Sequence, residues 1–257
     1  MKANTAMSNY DFCNILNCSE ATIRNDLREL DEARLILRTR GGATLIHDSN
    51  EMLEEPLENF QIRSRLSSNT DAKTAIAKYL ANNGIIHNNS SVVIDIGSTC
   101  YTAAKELTSS DMHLNIAAYS LQIAVLTAAN PNMQLTLAGG HYSATSDSFF
   151  DVAKTQSLFS NMYFDYFIMG CNGVSKSSGV TLTMQVAEAH YPIKQLLVEH
   201  SNKTILLCDH TKINKTYIHS VCPIDKIDLI ITDDGCNAEE KQSFLNLGID
   251  VVFAQLG

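Results

Sequence analysis

Val92-Val93-Ile94-Asp95-Ile96-Gly97-Ser98-Thr99 is a largely apolar run that passes directly into a glycine and two hydroxyl side chains. A run so short and so nearly continuous is typical of a strand buried on both faces of a sheet. Similar runs follow at residues 114–118, 135–138, 163–169, 204–208, 229–232 and 250–254. Helical segments separate most of them, at residues 101–107, 121–129, 152–159, 186–199 and 239–247. This alternation predicts a mainly parallel α/β sheet with helices on both faces.

Residues suited to a small polar ligand follow four of these strands. They are Gly97-Ser98-Thr99, Gly139-Gly140, Gly170-Cys171-Asn172-Gly173 and Asp209-His210-Thr211-Lys212. Ligands of such sheets bind beyond the carboxyl ends of the strands, so these segments predict a common site. Each segment taken alone is equally typical of an ordinary turn.

Hydroxyl and charged side chains give the predicted site its chemistry. Gly97-Ser98-Thr99 allows a tight turn and places two hydroxyls at a helix N-terminus, where a phosphate or another anion can bind. Asp95 and Asp209 are suited to sugar hydroxyls, and Lys73 or Lys212 to a phosphate.

The N-terminal segment, residues 1–47, predicts two short helices. Ser19 is suited to cap the second helix, in which Ile23, Leu27 and Leu30 recur at the spacing of one buried face.

A basic hairpin, residues 35–46, follows the second helix around the turn Gly41-Gly42. Arg24, Asn25 and Arg28 lie on the helix face opposite the buried one. Their forked side chains suit guanine and adenine edges, so the layout predicts a winged helix-turn-helix. A solvated helix face is the alternative.

Charge is unevenly distributed along the 257 residues, whose net charge is −9. Residues 1–47 hold six basic and six acidic side chains, so the acidic excess lies beyond them. Residues 48–59 contain five acids, Pro56 and no base, which favours a linker over an irregular packed connection. The predicted domains are a DNA-binding domain at residues 1–47, the linker, and an α/β domain at residues 60–257.

Composition excludes several classes of protein. At 45% hydrophobic residues the chain can bury a core. It lacks both an apolar run of the roughly 18–20 residues that a membrane span needs and a start typical of a signal peptide, so no membrane contact is expected. Seven cysteines without a C-x-x-C pair indicate reduced thiols in the cytoplasm. The histidines lack metal-ligand spacing and no nucleotide-binding loop is present, so neither a metal nor another cofactor is predicted.

Several motifs resemble those of the DeoR family of bacterial transcriptional regulators. Residues 19–30, S-E-A-T-I-R-N-D-L-R-E-L, are similar to its recognition helix, and Arg38-Thr39-Arg40-Gly41-Gly42-Ala43 to its wing. The family pattern is matched again at Lys73, Asp95-Ile96-Gly97-Ser98-Thr99, Gly139-Gly140, Gly170-Cys171-Asn172-Gly173, Asp209-His210-Thr211-Lys212 and Ile231-Thr232-Asp233. The resemblance covers nearly the whole chain, and the ordered set is far more specific than any one motif.

The resemblance implies a DNA-binding repressor of carbohydrate metabolism. Its Rossmann-like sensor domain would be related in fold to sugar-phosphate isomerases, would bind a phosphorylated sugar or related metabolite, and would carry no enzyme activity or catalytic residue. The implied partners are a double-stranded DNA operator and further copies of the chain, as a dimer or tetramer. The residues implied at DNA are Ser19, Thr22, Arg24, Asn25, Arg28, Arg38, Arg40, Gly41 and Gly42. Those implied at the effector are Lys73, Asp95, Gly97, Ser98, Thr99, Tyr119, Ser120, Gly139, Gly140, Asn172, Gly173, Asp209 and Lys212.

The start of the chain departs from the family pattern. A further helix usually precedes the one that we predict at Tyr10, whereas residues 1–7 are too few to form it. A winged helix-turn-helix lacking its first helix is expected to expose the inner face of Ile15, Ile23 and Leu27.

Three substitutions also depart from the pattern. Arg40 replaces the usual histidine of the wing, which should preserve a phosphate contact. Tyr119 stands in a segment that usually reads T-N-S, and Phe149-Phe150 replaces a common Val-Gly pair. The last two are expected to alter the effector pocket.

The sequence leaves two other functions open. A sugar-phosphate isomerase-like enzyme would use the same fold, with Asp95, Asp209 or Glu188 as its base. Such an enzyme has no use for residues 1–47, and the sequence contains no tight acidic pair. An interaction protein whose DNA-binding segment has decayed is the other alternative.

Overall fold

The computed structural model describes residues 6–16, 18–32, 36–39, 42–45, 66–144, 146–149 and 151–257. The chain divides into two units, Met1–Leu57 and Glu58–Gly257. The predicted linker, residues 48–59, lies outside the described residues.

The first unit combines two helices with a three-stranded antiparallel sheet. Its elements are β1 (Ala6–Ser8), α1 (Asn9–Leu16), α2 (Glu20–Glu32), β2 (Ile36–Thr39) and β3 (Gly42–Leu45), and the sheet order is β1-β3-β2. The helices and the hairpin confirm the predicted winged helix-turn-helix layout. Strand β1 was not predicted from the sequence. It precedes α1 and pairs with β3, where Met7 lies opposite Ala43.

The core of the first unit covers the inner face of α2. It is formed by Phe12, Ile23, Leu27 and Ala43. The expectation that Ile23 and Leu27 would be exposed is wrong, because Phe12 of α1 and Ala43 of β3 pack against them. Ile15 is 68% exposed, as expected, but Leu30 is also exposed, so the buried stripe of α2 ends one turn earlier than predicted.

The second unit is built on a seven-stranded sheet in which every pairing is parallel. Its strands are β4 (Ser91–Ile94), β5 (Leu114–Ala118), β6 (Met133–Leu137), β9 (Phe164–Gly170), β12 (Ser201–Leu207), β14 (Leu229–Asp233) and β15 (Asp250–Ala254). The helices are α3 (Thr70–Asn82), α4 (Ser98–Thr108), α5 (Leu121–Ala128), α6 (Val152–Phe159), α7 (Met184–Glu199) and α8 (Ala238–Leu245). The predicted α/β class is confirmed.

Helices cover both faces of this sheet. Alternate side chains of each strand enter two separate cores because successive residues point to opposite faces. Val93 of β4 packs in one core with Ile193 of α7. Val92 and Ile94 pack in the other with Leu80 of α3.

Two small antiparallel sheets complete the unit and are absent from the sequence prediction. One joins β10 (Gly173–Ser175), β11 (Gly179–Leu182) and β13 (His219–Cys222), and the other is a hairpin of β7 (Tyr142–Ser143) and β8 (Ser148–Phe149). Strands of two to four residues are too short for an alternating pattern to identify them.

The strand order creates one point where the direction of winding reverses. The order is β15-β14-β12-β9-β4-β5-β6, so the chain proceeds outward from β4 on one side and from β9 on the other. Such a reversal opens a crevice at the carboxyl ends of the two central strands. None of the described helices is long and apolar enough to cross a membrane.

Candidate functional site

A half-open cleft lies beyond the carboxyl ends of β4, β9 and β12. Its wall is formed by Ser68, Lys73, Ile96, Gly97, Ser98, Thr99, Cys100, Gly170, Cys171, Asn172, Leu182, Lys194, Asp209 and Lys212. Residues predicted for effector binding that the fold brings together here are Lys73, Gly97, Ser98, Thr99, Asn172, Asp209 and Lys212.

The N-terminus of α4 forms one side of the cleft. Gly97 precedes the helix with a φ of +112°, a backbone conformation that favours glycine. The first helical hydrogen bond is donated by the Tyr101 amide to the Gly97 carbonyl. The amides of Ser98, Thr99 and Cys100 come before it, and none of the described side chains caps this end of the helix. These N–H groups and the partial positive charge of the helix end suit an anion.

Two lysines and one carboxylate form another side of the cleft. Asp209, only 2% exposed, accepts hydrogen bonds from the Thr211 amide at 3.0 Å and from Asn69 Nδ2 at 3.3 Å. Lys212 Nζ lies 3.8 Å from Asp209 Oδ2. Lys73 donates to the Ser68 carbonyl, and burial lowers the pKa of its amine. Two amines facing a single carboxylate leave this side positively charged.

A buried ion pair forms the floor of the cleft. Lys194 of α7 donates to Asp95 Oδ2 and, at 3.0 Å, to the Gly170 carbonyl. Asp95 also accepts the Tyr119 hydroxyl and the Gly170 amide, the latter at 2.9 Å. Asp95 therefore lies beneath the cleft rather than in its wall, although it was predicted for effector binding.

Lys194 is the main residue that the sequence interpretation missed. It shares one face of α7 with His190 and Leu197, at spacings of four and three residues, and all three are buried. That helical periodicity was the available signal that the lysine faces inward.

Other predicted effector residues lie away from the cleft. Tyr119 was expected to alter the wall of the pocket. It is instead fully buried and donates its hydroxyl to Asp95 beneath the cleft. Ser120 caps α5 and donates to Asp147. Gly139 and Gly140 follow β6, two strands from β4.

Gly173 and Phe149 each make a close structural contact. A Cβ on Gly173 would overlap the Lys215 backbone carbonyl, which gives this glycine a packing role. Phe149 donates its amide to the Tyr119 carbonyl at 2.9 Å, whereas Phe150 lies outside the described residues.

The exposed face of α2 carries the residues predicted to contact DNA. Thr22, Asn25 and Arg28 are exposed, and Arg24 is exposed while it pairs with Glu20 at 2.7 Å. Ser19 acts locally as a cap, because its hydroxyl accepts the Thr22 amide at 3.2 Å.

Only part of the predicted wing is described. Arg38 belongs to β2, where its backbone pairs with Ala43 of β3, and Gly42 begins β3. Arg40 and Gly41 lie outside the described residues. Among the side chains that the structure describes, no group of three or more His, Cys, Asp or Glu could hold a metal ion.

Both units match known family models. Residues 68–234 match the DeoR C-terminal sensor domain and residues 2–49 the DeoR-like helix-turn-helix domain. The chain belongs to the DeoR family of transcriptional regulators. This regulator is 32% identical to the HTH-type transcriptional regulator GolR of Listeria innocua, over 94% of this chain and 89% of that protein. It is 30% identical to the glycerol-3-phosphate regulon repressor of Escherichia coli K12, over 84% of this chain and 79% of that protein.

A weaker likeness concerns the fold of this DeoR-family regulator. Ribose 5-phosphate isomerase A of Methanocaldococcus jannaschii superposes with a TM-score of 0.41 at 16% identity, covering 57% of this chain and 55% of that one.

Proposed function

We propose that this chain is a repressor of carbohydrate metabolism that binds operator DNA and senses a phosphorylated sugar or a related metabolite. The observation that carries the proposal is the charge of one cleft. The uncapped N-terminus of α4 and the amines of Lys73 and Lys212 line it, and Asp209 is the one carboxylate among the described residues of its wall.

A phosphate fits this charge distribution. Backbone amides at a helix N-terminus bind phosphate oxygens without loss of side-chain conformational entropy. Lysines attract the phosphate as point charges. The Ser98 and Thr99 hydroxyls add donors at the same end of α4.

The remaining polar side chains of the wall suit a sugar. Asp209 can accept hydrogen bonds from hydroxyl groups, and the amide of Asn172 can both accept and donate them. Asn172 Oδ1 already accepts the Thr183 amide at 3.1 Å, which fixes the side chain in place. A phosphorylated sugar supplies both kinds of partner.

The first unit supplies DNA recognition. In a winged helix-turn-helix the second helix enters the major groove, so α2 would present Thr22, Arg24, Asn25 and Arg28 to base edges and phosphates. The wing would contact the sugar-phosphate backbone of the DNA through Arg38, Arg40, Gly41 and Gly42. A homo-oligomer, a dimer or a tetramer, would place two such helices at half-sites of an operator.

Effector binding would control DNA binding by a shift between two arrangements of the oligomer. An effector that binds one arrangement more tightly raises its population by the difference in binding free energy. In one arrangement the α2 helices match the operator spacing, and in the other they do not.

The alternative of an isomerase has less support. A base must be free to take a proton from the substrate, but both oxygens of Asp95 accept hydrogen bonds beneath the cleft. Asp209 Oδ1 accepts from the Thr211 amide and Asn69, and its Oδ2, which could still accept a hydroxyl group, lies 3.8 Å from the Lys212 amine. Turnover of a pentose phosphate that is lost on Asp95→Asn would favour the enzyme.

The first experiment is a thermal-shift screen of the full chain against sugar phosphates and the corresponding free sugars. A ligand at 100 times its Kd stabilises the protein by about 2.7 kcal/mol. We expect a shift with at least one phosphorylated compound, loss of that shift in Lys212→Ala, and its retention in Lys203→Ala, which removes an exposed lysine at the opposite end of β12.

The same compound should change the affinity for DNA. An electrophoretic titration on the DNA upstream of the protein's own gene would measure it with and without the ligand. A screen without any shift, or a titration without preference for that DNA over an unrelated fragment, would count against the proposal.

A further inference from the structure

The amine of Lys194 is buried in the floor of the cleft and retains one donor. It is 2% exposed and lines the cleft. An ammonium group carries three N–H donors. Within the described part of the chain, two are taken up by Asp95 Oδ2 and the Gly170 carbonyl, and no third acceptor contacts the group.

The charge of Lys194 is already compensated. Asp95 is completely buried and pairs with it directly, so this part of the cleft is close to neutral. A second anionic group on the ligand would gain little there, because it would meet the lysine and the aspartate together. An uncharged oxygen needs only the remaining N–H. The side of the cleft with Lys73 and Lys212 differs, since two amines there share Asp209.

We propose that Lys194 binds an uncharged oxygen of the effector, a hydroxyl or carbonyl group, and thereby distinguishes a sugar phosphate from other phosphate compounds. This inference rests on the proposed function, because it assumes that the phosphate occupies the same cleft. It makes Lys194 a specificity-determining residue for the sugar part of the ligand.

Asp95 and Tyr119 are positioning residues for this contact. Asp95 Oδ1 accepts the Tyr119 hydroxyl, and Oδ2 accepts both Lys194 and the Gly170 amide. These bonds fix the carboxylate, which in turn fixes the direction of the amine. Since a buried donor left without an acceptor costs free energy, a ligand that supplies the acceptor is favoured over one that does not.

The test compares phosphate monoesters that carry the same charge. Calorimetric titration of the full-length protein would use methyl phosphate, which has no oxygen outside its phosphate group. The three ligands compared with it carry hydroxyl or carbonyl groups: glycerol 3-phosphate, dihydroxyacetone phosphate and fructose 6-phosphate. We expect the wild type to bind at least one of these three about tenfold or more tightly than methyl phosphate.

The decisive variant is the double substitution Asp95→Asn and Lys194→Gln. It removes both charges together, so no unpaired charge stays buried, and it keeps groups of similar size. The expected result is unchanged affinity for methyl phosphate and a preference for the larger ligand that is about fivefold or more smaller than in the wild type, the remainder coming from Asp209 and Asn172. Lys212→Ala should instead weaken the binding of all four compounds.

Tyr119→Phe tests the positioning role. It removes one hydrogen bond to Asp95 and should reduce the preference to an intermediate value, whereas a purely structural role would lower the melting temperature and leave the ratio of affinities unchanged. A preference of the same size in the double variant as in the wild type, or a wild type without preference, overturns the inference and leaves the proposed function standing. Failure of methyl phosphate and of every sugar phosphate to bind would remove both.

Discussion

Ser91 and Asp165, which lie at the amino ends of β4 and β9, are joined by three hydrogen bonds. The Ser91 amide and hydroxyl donate to Asp165 Oδ2 at 2.8 and 2.7 Å, and the Asp165 amide donates to Ser91 Oγ at 2.9 Å. β4 and β9 are the two neighbouring parallel strands between which the direction of winding reverses. The contact therefore fixes the register of the strands whose opposite ends form the cleft.

Substituting Ser91 by Ala should destabilise the sensor domain. The change leaves the Asp165 amide without its acceptor and removes the hydroxyl donor, and we expect a loss of about 1–3 kcal/mol. Urea unfolding followed by circular dichroism would measure it. Ser109→Ala is the matched control, because that hydroxyl belongs to an exposed residue and donates to the Lys105 carbonyl one turn back in α4. Equal losses in the two variants would contradict the assigned role.

His190 should make the protein sensitive to mild acid. Burial lowers the pKa of His190 to about 4, and its ring stacks on Tyr119 and shares a 3.1 Å hydrogen bond with Ser148. The unfolded chain takes up this proton near pH 6.5, so stability falls as the pH drops from 6.5 toward 4, by about 3 kcal/mol in total.

His190→Gln would remove that contribution while its amide can still bond Ser148. Unfolding free energies of the two proteins at pH 7 and pH 4.5 give the difference, in which all other titrating groups cancel. Identical pH dependence would mean that the His190 ring is accessible to protons in the folded state.

Cys171 should report directly on occupancy of the cleft. Its thiol lies in the cleft wall and is half-buried, whereas Cys100 and Cys208 are buried. We expect iodoacetamide to modify Cys171, and a bound sugar phosphate at ten times its Kd to slow the reaction about tenfold. Mass mapping of peptides would also follow Cys18, which is exposed on the first unit and serves as the internal control. If the bound ligand did not slow the labelling of Cys171, the ligand would have to bind outside the cleft.

The two glycines Gly173 and Gly139 should respond differently to an added methyl group. A Cβ on Gly173 would overlap the Lys215 carbonyl, whereas nothing lies within 4 Å of a Cβ on Gly139. Gly173→Ala should cost about 1–3 kcal/mol through overpacking, and Gly139→Ala should leave both stability and effector affinity unchanged. Loss of effector binding in Gly139→Ala, with normal stability, would restore that glycine to the site.

Arg28→Ala should weaken binding to the operator about 10- to 100-fold, the range expected for loss of one bidentate base contact. Arg28 is exposed on α2. Lys105→Ala, which removes an exposed charge from the sensor domain, is the control for net charge. A drop of the same size on operator and on unrelated DNA would show a phosphate contact instead of base recognition.

Much of the α/β architecture could be predicted from local pattern because each buried strand is a distinct apolar run. The run at 250–254 coincides with β15, and the predicted helix at 152–159 coincides with α6. The small sheet of β10, β11 and β13 escaped prediction because its strands have only three or four residues and because β13 pairs with β11 across a long stretch of chain, as Leu182 with His219.

Apart from Lys73 on α3, the candidate site was predictable only where its residues follow strand ends. Ser98, Asn172 and Asp209 carry that signal, and topology brings them together. Lys194 projects from the middle of a helix, and its partner Asp95 is distant in sequence. The buried position of Tyr119 likewise depends on tertiary packing that no local pattern encodes.

The wall of the cleft includes residues from the beginning of the described part of the second unit. Ser68 lines the cleft, its neighbour Asn69 holds Asp209, and Lys73 follows on the first turn of α3. A ligand bound in the cleft would therefore contact described residues of the second unit that lie close, along the chain, to the first unit.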